Sequence, residues 1–156
     1  MLTNLTGWQC YALVVLALFA LALLAATPVV SLVAPDVNGC ARAVALDGKP
    51  LAGGPTPFCI REAIAVHLDD TPLVVLRVDA PHRFEAGVRS RVFVYRVSGG
   101  RLVPRFLGSG FSSREVSRVF ALEGALGLDT VTRTGAEEKL RCIFQGFPLV
   151  CSELTR

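Results

Sequence analysis

From Tyr11 to Ala34 the chain reads YALVVLALFALALLAATPVVSLVA, twenty-four residues without a charged side chain. As a helix this stretch reaches about 36 Å at 1.5 Å per residue, enough to cross a hydrocarbon core of roughly 30 Å with some tilt. Trp8 and Tyr11 stand where interfacial aromatic anchors sit, and Pro28 is expected to kink or end the helix near one face. The pattern predicts a short flank over 1–10 and a transmembrane helix or uncleaved signal anchor over 11–34. Residues 35–60 lose all periodicity. They hold Pro35, Pro50, Pro55 and Pro57 with Gly48, Gly53 and Gly54, and read as a linker loop.

After Ile60 short apolar runs recur about every ten residues, separated by Gly, Pro, Asp and Ser: AIAVHL, PLVVLRV, RVFVYRV, RLVPRFL, VSRVFAL, LDTVTRT, KLRCIFQ and PLVCSEL. That spacing predicts a small antiparallel all-β domain of about eight strands over 61–156. PLVVLRV is apolar on both faces, as a central strand requires. RVFVYRV places Arg91, Phe93 and Tyr95 on one face and Val92, Val94 and Arg96 on the other. Ser98-Gly99-Gly100 marks a hairpin turn. Ser112-Ser113-Arg114-Glu115 matches a capping box and predicts one short helical turn at most. A faint repeat, about fifty residues in period, sets the first four runs against the last four, as two four-stranded units.

The run VFVYRV-SGG-RLVPRFLGSGFS, followed by a hydrophobic strand, a Glu-Gly loop and a second hairpin, resembles blades of FG-GAP or VCBS-type β-propellers over residues 61–154. The resemblance implies two blade-like units, arranged as a sandwich or a partial propeller, since closed propellers use about four to eight blades. Such blades carry an acidic calcium loop. The matching places, His67 to Thr71 and Leu122 to Gly127, hold too few carboxylates for six to eight oxygen ligands, so no calcium and no other cofactor is expected.

Cys10 lies at the membrane edge and leaves four cysteines in the soluble part. Cys142 and Cys151 lie symmetrically about Gly146-Phe147, so a hairpin turning there sets them opposite each other. Pro148 cannot donate the closing bond of a two-residue turn, which favours a four-residue loop. By elimination Cys40 pairs with Cys59. Zinc is the competing reading, but there is no Cys-x-x-Cys pair, and His67 and His82 are the only histidines. Val37-Asn38-Gly39-Cys40 loosely matches a lipidation box, but Pro35 and Asp36 interrupt the apolar run before it. A cleaved signal peptide is disfavoured by the absence of a basic n-region and by the length of the apolar stretch.

Disulfides place the domain in the periplasm or outside the cell. Arg42 and Lys49 after the helix argue for the opposite orientation, but one or two charges orient a helix weakly. All 16 basic and 13 acidic residues lie from Asp36 onward, with both signs interspersed, which is an ordinary surface rather than a polyanion-binding one. Nucleic acid is not expected as a partner, because the expected compartment is wrong for it and aromatic residues are not interleaved with the basic ones.

Candidate chemistry is sparse. His67 next to Asp69 and Asp70 suggests a general base for a small envelope hydrolase or transferase acting on an anionic substrate, although a strand-end histidine beside an acidic turn explains the same residues. His82 between Asp79 and Glu85 reads the same way. Gly108-Ser109-Gly110 matches neither a nucleophile elbow nor a phosphate loop. Arg83, Arg89, Arg91, Arg96, Arg101 and Arg105 are opposed only by Glu85. Of these, Arg91, Arg96, Arg101 and Arg105 make a candidate interaction face. The expected function is that of a membrane-anchored, non-enzymatic interaction or assembly module, with a protein partner or a second copy engaged through an exposed strand edge or this face.

Overall fold

The computed structural model describes residues 28–55, 57–68, 71–81, 88–108, 114–146 and 148–154. Eleven strands lie along them: β1 (Val30–Val33), β2 (Ala43–Leu46), β3 (Lys49–Pro50), β4 (Cys59–Leu68), β5 (Thr71–Pro81), β6 (Val88–Ser98), β7 (Arg101–Phe106), β8 (Arg114–Leu122), β9 (Ala125–Thr132), β10 (Glu137–Phe144) and β11 (Leu149–Glu153). They form three antiparallel sheets, an N-terminal one ordered β1-β2-β3, a middle one β4-β5-β6-β7 and a C-terminal one β8-β9-β10-β11. The two larger sheets are simple meanders of four strands each, the two units expected from the repeat.

Strand β5 of the middle sheet is buried on both faces, and this is why PLVVLRV lacks alternation. Leu73 and Val75 of β5 face the C-terminal sheet with Val92 and Val94 of β6, meeting Val116, Val119, Leu126, Leu128 and Leu140. Val74, Leu76 and Val78, with Phe93 and Tyr95, face the other way onto Ala41, Val44 and Leu51. Fully burying each of these Leu and Val side chains contributes about 1.5–3 kcal/mol, so both cores stabilise the same central layer.

The N-terminal sheet was not legible as such. Val30–Val33, the last residues of the expected helix, pair with Ala43–Leu46 as β1 and β2, so the boundary at Ala34 falls too late. Pro28 has no amide N–H to offer a helix, and Val30 and Val33 suit a pleated ribbon. The rest of the expected helix, up to Thr27, lies outside the described residues, and among those described no helix is long and apolar enough to cross a membrane. The expected linker over 35–60 likewise contains β2 and β3, joined by a tight Asp47-Gly48 turn in which both residues take positive φ (50° and 77°).

This small sheet spans the middle one from edge to edge. At one side Ala41 and Ile60 exchange backbone bonds of 3.0 and 2.9 Å on the β4 edge. At the other, Ala52 donates to Gly100 (3.1 Å) and accepts from Leu102 (2.8 Å) on the β7 edge. Cys40 and Cys59 are joined beside the first of these contacts, with Cα atoms 5.2 Å apart. Cys142 and Cys151 are joined across β10 and β11, Cα atoms 4.1 Å apart, and Gln145 N–H donates to the Pro148 carbonyl (3.1 Å) where the two strands meet. Both pairings are those expected. The short helical turn expected at Ser112 lies outside the described residues, and Arg114 and Glu115 belong to β8.

Candidate interaction site

The middle and C-terminal sheets are registered by one polar clamp. A bulge at Arg61 in β4 and another at Ser117 in β8 break both ladders. There the Glu62 carboxylate accepts from the Val119 backbone N–H (3.2 Å) and from Arg77 Nε (3.2 Å), while Arg77 also donates to Ser90 Oγ (3.2 Å). Ser90 is buried, so its hydroxyl needs this partner. Nothing in the residue pattern marks Glu62. Its role arises from the bulge that turns it toward the facing sheet.

Around the Cys40–Cys59 pair the loop is held by charge. Asp36 Oδ1 accepts from the backbone N–H groups of Cys40 and Asn38, both at 2.9 Å, and these two bonds, Cys40 first, hold its carboxyl below the ordinary range. Arg61 donates to Asp79 (2.6 Å) and to the Asn38 carbonyl, and Arg42 donates to the Pro57 carbonyl. Arg42, Arg61 and Asp79, with Phe58, Ser90 and Glu115, line a cleft of about 540 Å³ whose two arginines already have partners. Cys40, bonded to Cys59, has no thiol left for acylation. A second cleft, about 660 Å³, is lined by Asp129, Glu137, Glu138, Lys139 and Glu153. Ser117 and Thr130, which also line the second cleft, donate their hydroxyls to the backbone carbonyls of Asp129 and Glu138. Among the described residues no group of three or more His, Cys, Asp or Glu side chains could hold a metal ion. His67 is exposed on β4, opposite Pro72, while Asp69, Asp70 and His82 lie outside the described residues.

The four arginines divide between two faces. Arg91 lies on the side of Phe93 and Tyr95, toward the N-terminal sheet. Arg96 pairs with Val103 and Ser98 with Arg101, so Arg96, Arg101 and Val103 share the opposite side, toward the C-terminal sheet. Arg105 is the bulged residue between Pro104 and Phe106, and its guanidinium lies 5.2 Å from the centre of the Phe144 ring on β10. Arg96 and Arg101 are exposed and have no carboxylate partner among the described residues.

No family model, curated protein or solved structure matches this chain. Its site must therefore be read from its own edges. The β7 edge is blunted by the Ala52 bridge, by Pro104, which has no N–H, and by the bulge at Arg105. The β4 edge carries the Ala41 bridge, and the β8 edge places its Val119 N–H on Glu62. Among the described residues the β11 edge has none of these protections. Leu154 N–H donates to Lys139 (2.7 Å), which fixes the alternation along the strand: Val150 and Ser152 bond to β10, and the backbone groups of Leu149, Cys151 and Glu153 point away from it. Pattern reasoning singled out the arginines but not β11, although the last strand of a meander is an edge by topology.

Proposed function

We propose that this chain is a membrane-tethered β domain that works outside the cytoplasm as a non-enzymatic interaction or assembly module. The observation that carries the reading is the contrast between edges: three long-strand edges of the two large sheets are bridged, blunted or bonded, and β11 is open. Unpaired backbone on an exposed strand is a template for another chain. The charge-free stretch from Tyr11 up to the start of β1 is the tether. Two joined cysteine pairs favour an oxidising compartment. In this reading the two meanders are blade-like units that cover each other instead of closing a ring.

Chemical crosslinking in native membranes tests it. The expected result is a heavier adduct whose crosslinked peptides include Leu149–Glu153 or the arginines of β6 and β7. Recovery of monomer alone contradicts the proposal.

A further inference from the structure

Sequence and topology offer two interaction features, an open strand edge and two arginines, Arg96 and Arg101, with no carboxylate partner among the described residues, and strand spacings place them near one another. On its C-terminal-sheet side the middle sheet presents successive rows of side chains: Glu62, Arg77 and Val92; then Ile64, Val75, Val94 and Phe106; then Val66, Leu73, Arg96 and Val103; and finally Leu68, Thr71, Ser98 and Arg101, of which Leu68 on the β4 side is buried in the core shared with the C-terminal sheet. Rows on one face follow each other by about 6.8 Å, and neighbouring strands by about 4.8 Å. Strand β8 touches β4, β5 and β6, so the C-terminal sheet runs across the middle one. The bond from Val119 to Glu62 puts β8 at the first row.

Strand β10 then falls about 10 Å further on, between the second and third rows. Arg105, bulged between those two rows, does lie over Phe144 of β10. Strand β11 falls about 14 Å on, at the row of Arg96 and Val103, and the next strand position about 19 Å on, at Ser98 and Arg101. On the β6–β7 side Arg96, Ser98, Arg101 and Val103 are all exposed, so that half of the face is left uncovered by the C-terminal sheet, whereas Leu68 on the β4 side is buried. No strand of the described residues fills the position beneath.

We propose that this position is a slot for one extended acidic segment of a partner protein, added to β11 as a fifth strand. The inference rests on the interaction reading above and specifies its partner. The floor of the slot offers the amides and carbonyls of Leu149, Cys151 and Glu153, which have no partner among the described residues. Its roof offers two exposed arginines and Val103, which is 36% exposed. The charge is graded along it. Phe144 lies opposite Leu149, so Arg105 and the other arginines stand at the Leu149 end, and Glu153 stands at the far end. The incoming strand carries its carboxylates toward Leu149, on the side facing the middle sheet. A strand of basic residues is repelled there, and a purely apolar one leaves two guanidinium groups covered and unpaired.

The test uses the full chain in detergent micelles and a synthetic peptide of about eight residues alternating valine and glutamate. The slot predicts that the peptide slows hydrogen exchange at the amides of Leu149, Cys151 and Glu153. The amides of Val150 and Ser152, bonded to β10, are protected with or without it. Arg96→Ala combined with Arg101→Ala weakens binding about tenfold or more. Glu153→Pro does the same while leaving the β10 ladder whole, because the lost N–H points into the slot. Four results overturn the inference: no binding up to about millimolar peptide, equal binding of a valine–lysine peptide, protection elsewhere than on β11, or arginine-dependent binding to phosphatidylglycerol vesicles with β11 amides unchanged. Should the peptide fail while membrane crosslinking still recovers a partner, only the slot falls and the interaction reading stands.

Discussion

Gly127 on β9 has no room for a side chain: a Cβ there would lie 2.1 Å from the Phe120 ring, which covers it on the outer face of the C-terminal sheet. Gly127→Ala is predicted to push the ring off and cost about 1 kcal/mol by overpacking. In a Phe120→Ala background the same change is predicted to be neutral or stabilising, since Gly within a strand costs about 0.5–1 kcal/mol relative to Ala. Denaturant midpoints of the four proteins measure this cycle. Tyr95, 2% exposed between the middle and N-terminal sheets, makes a second residue-level prediction. Burial pushes its phenol from 10.0 up to about 12. A raised folded value means the contribution is whole below pH 10 and is lost as pH rises toward about 12. Wild-type unfolding free energy should fall across that window, and Tyr95→Phe should flatten the fall. Equal slopes for the two proteins contradict this. Both residues were visible in the pattern only as strand positions. Their packing depends on neighbours about seven residues away across a turn, or in another sheet altogether.

At the scale of elements, the alternation and turn chemistry that predict eight strands after Ile60 correspond to β4 through β11. The Gly99-Gly100 turn and the opposed pair Cys142 and Cys151 fall where hairpin geometry requires. β1, β2 and β3 escaped because two signals masked them. VVSLV continues an apolar run long enough to read as helix, and β2 and β3 are short ribbons among prolines and glycines. They persist through tertiary contacts at Ala41 and Ala52 and through the Cys40–Cys59 link. Replacing both Cys40 and Cys59 by Ser is predicted to cost about 3 kcal/mol by the chain-entropy estimate. The loss should be local. Amides of Val44 and Ala45 should exchange faster, while those of Leu126 and Leu128 keep their protection, as residue-resolved hydrogen exchange would show. Uniform acceleration across all three sheets would mean that the N-terminal sheet does not open as a separate unit.

For the molecule as a whole, the three layers explain why a domain of this length has a sheet with an apolar core on each face: residues next to the proposed tether fold back over the middle sheet and complete its second core. The candidate site was half legible. The arginines stood out as charges without opposing carboxylates, but their division between two faces and the uncovered half-face beside β11 depend on the angle at which two meanders cross, and no local pattern encodes that angle. The proposed compartment and the folded domain are joined through the same four sulfurs. Treating intact cells with a membrane-impermeant maleimide, before and after reduction, and locating the label by peptide mass therefore tests the central claim most directly. Labelling of Cys40, Cys59, Cys142 and Cys151 only after reduction, without permeabilising the membrane, is the predicted result. Labelling of those four only after permeabilisation, with no reductant needed, would contradict it.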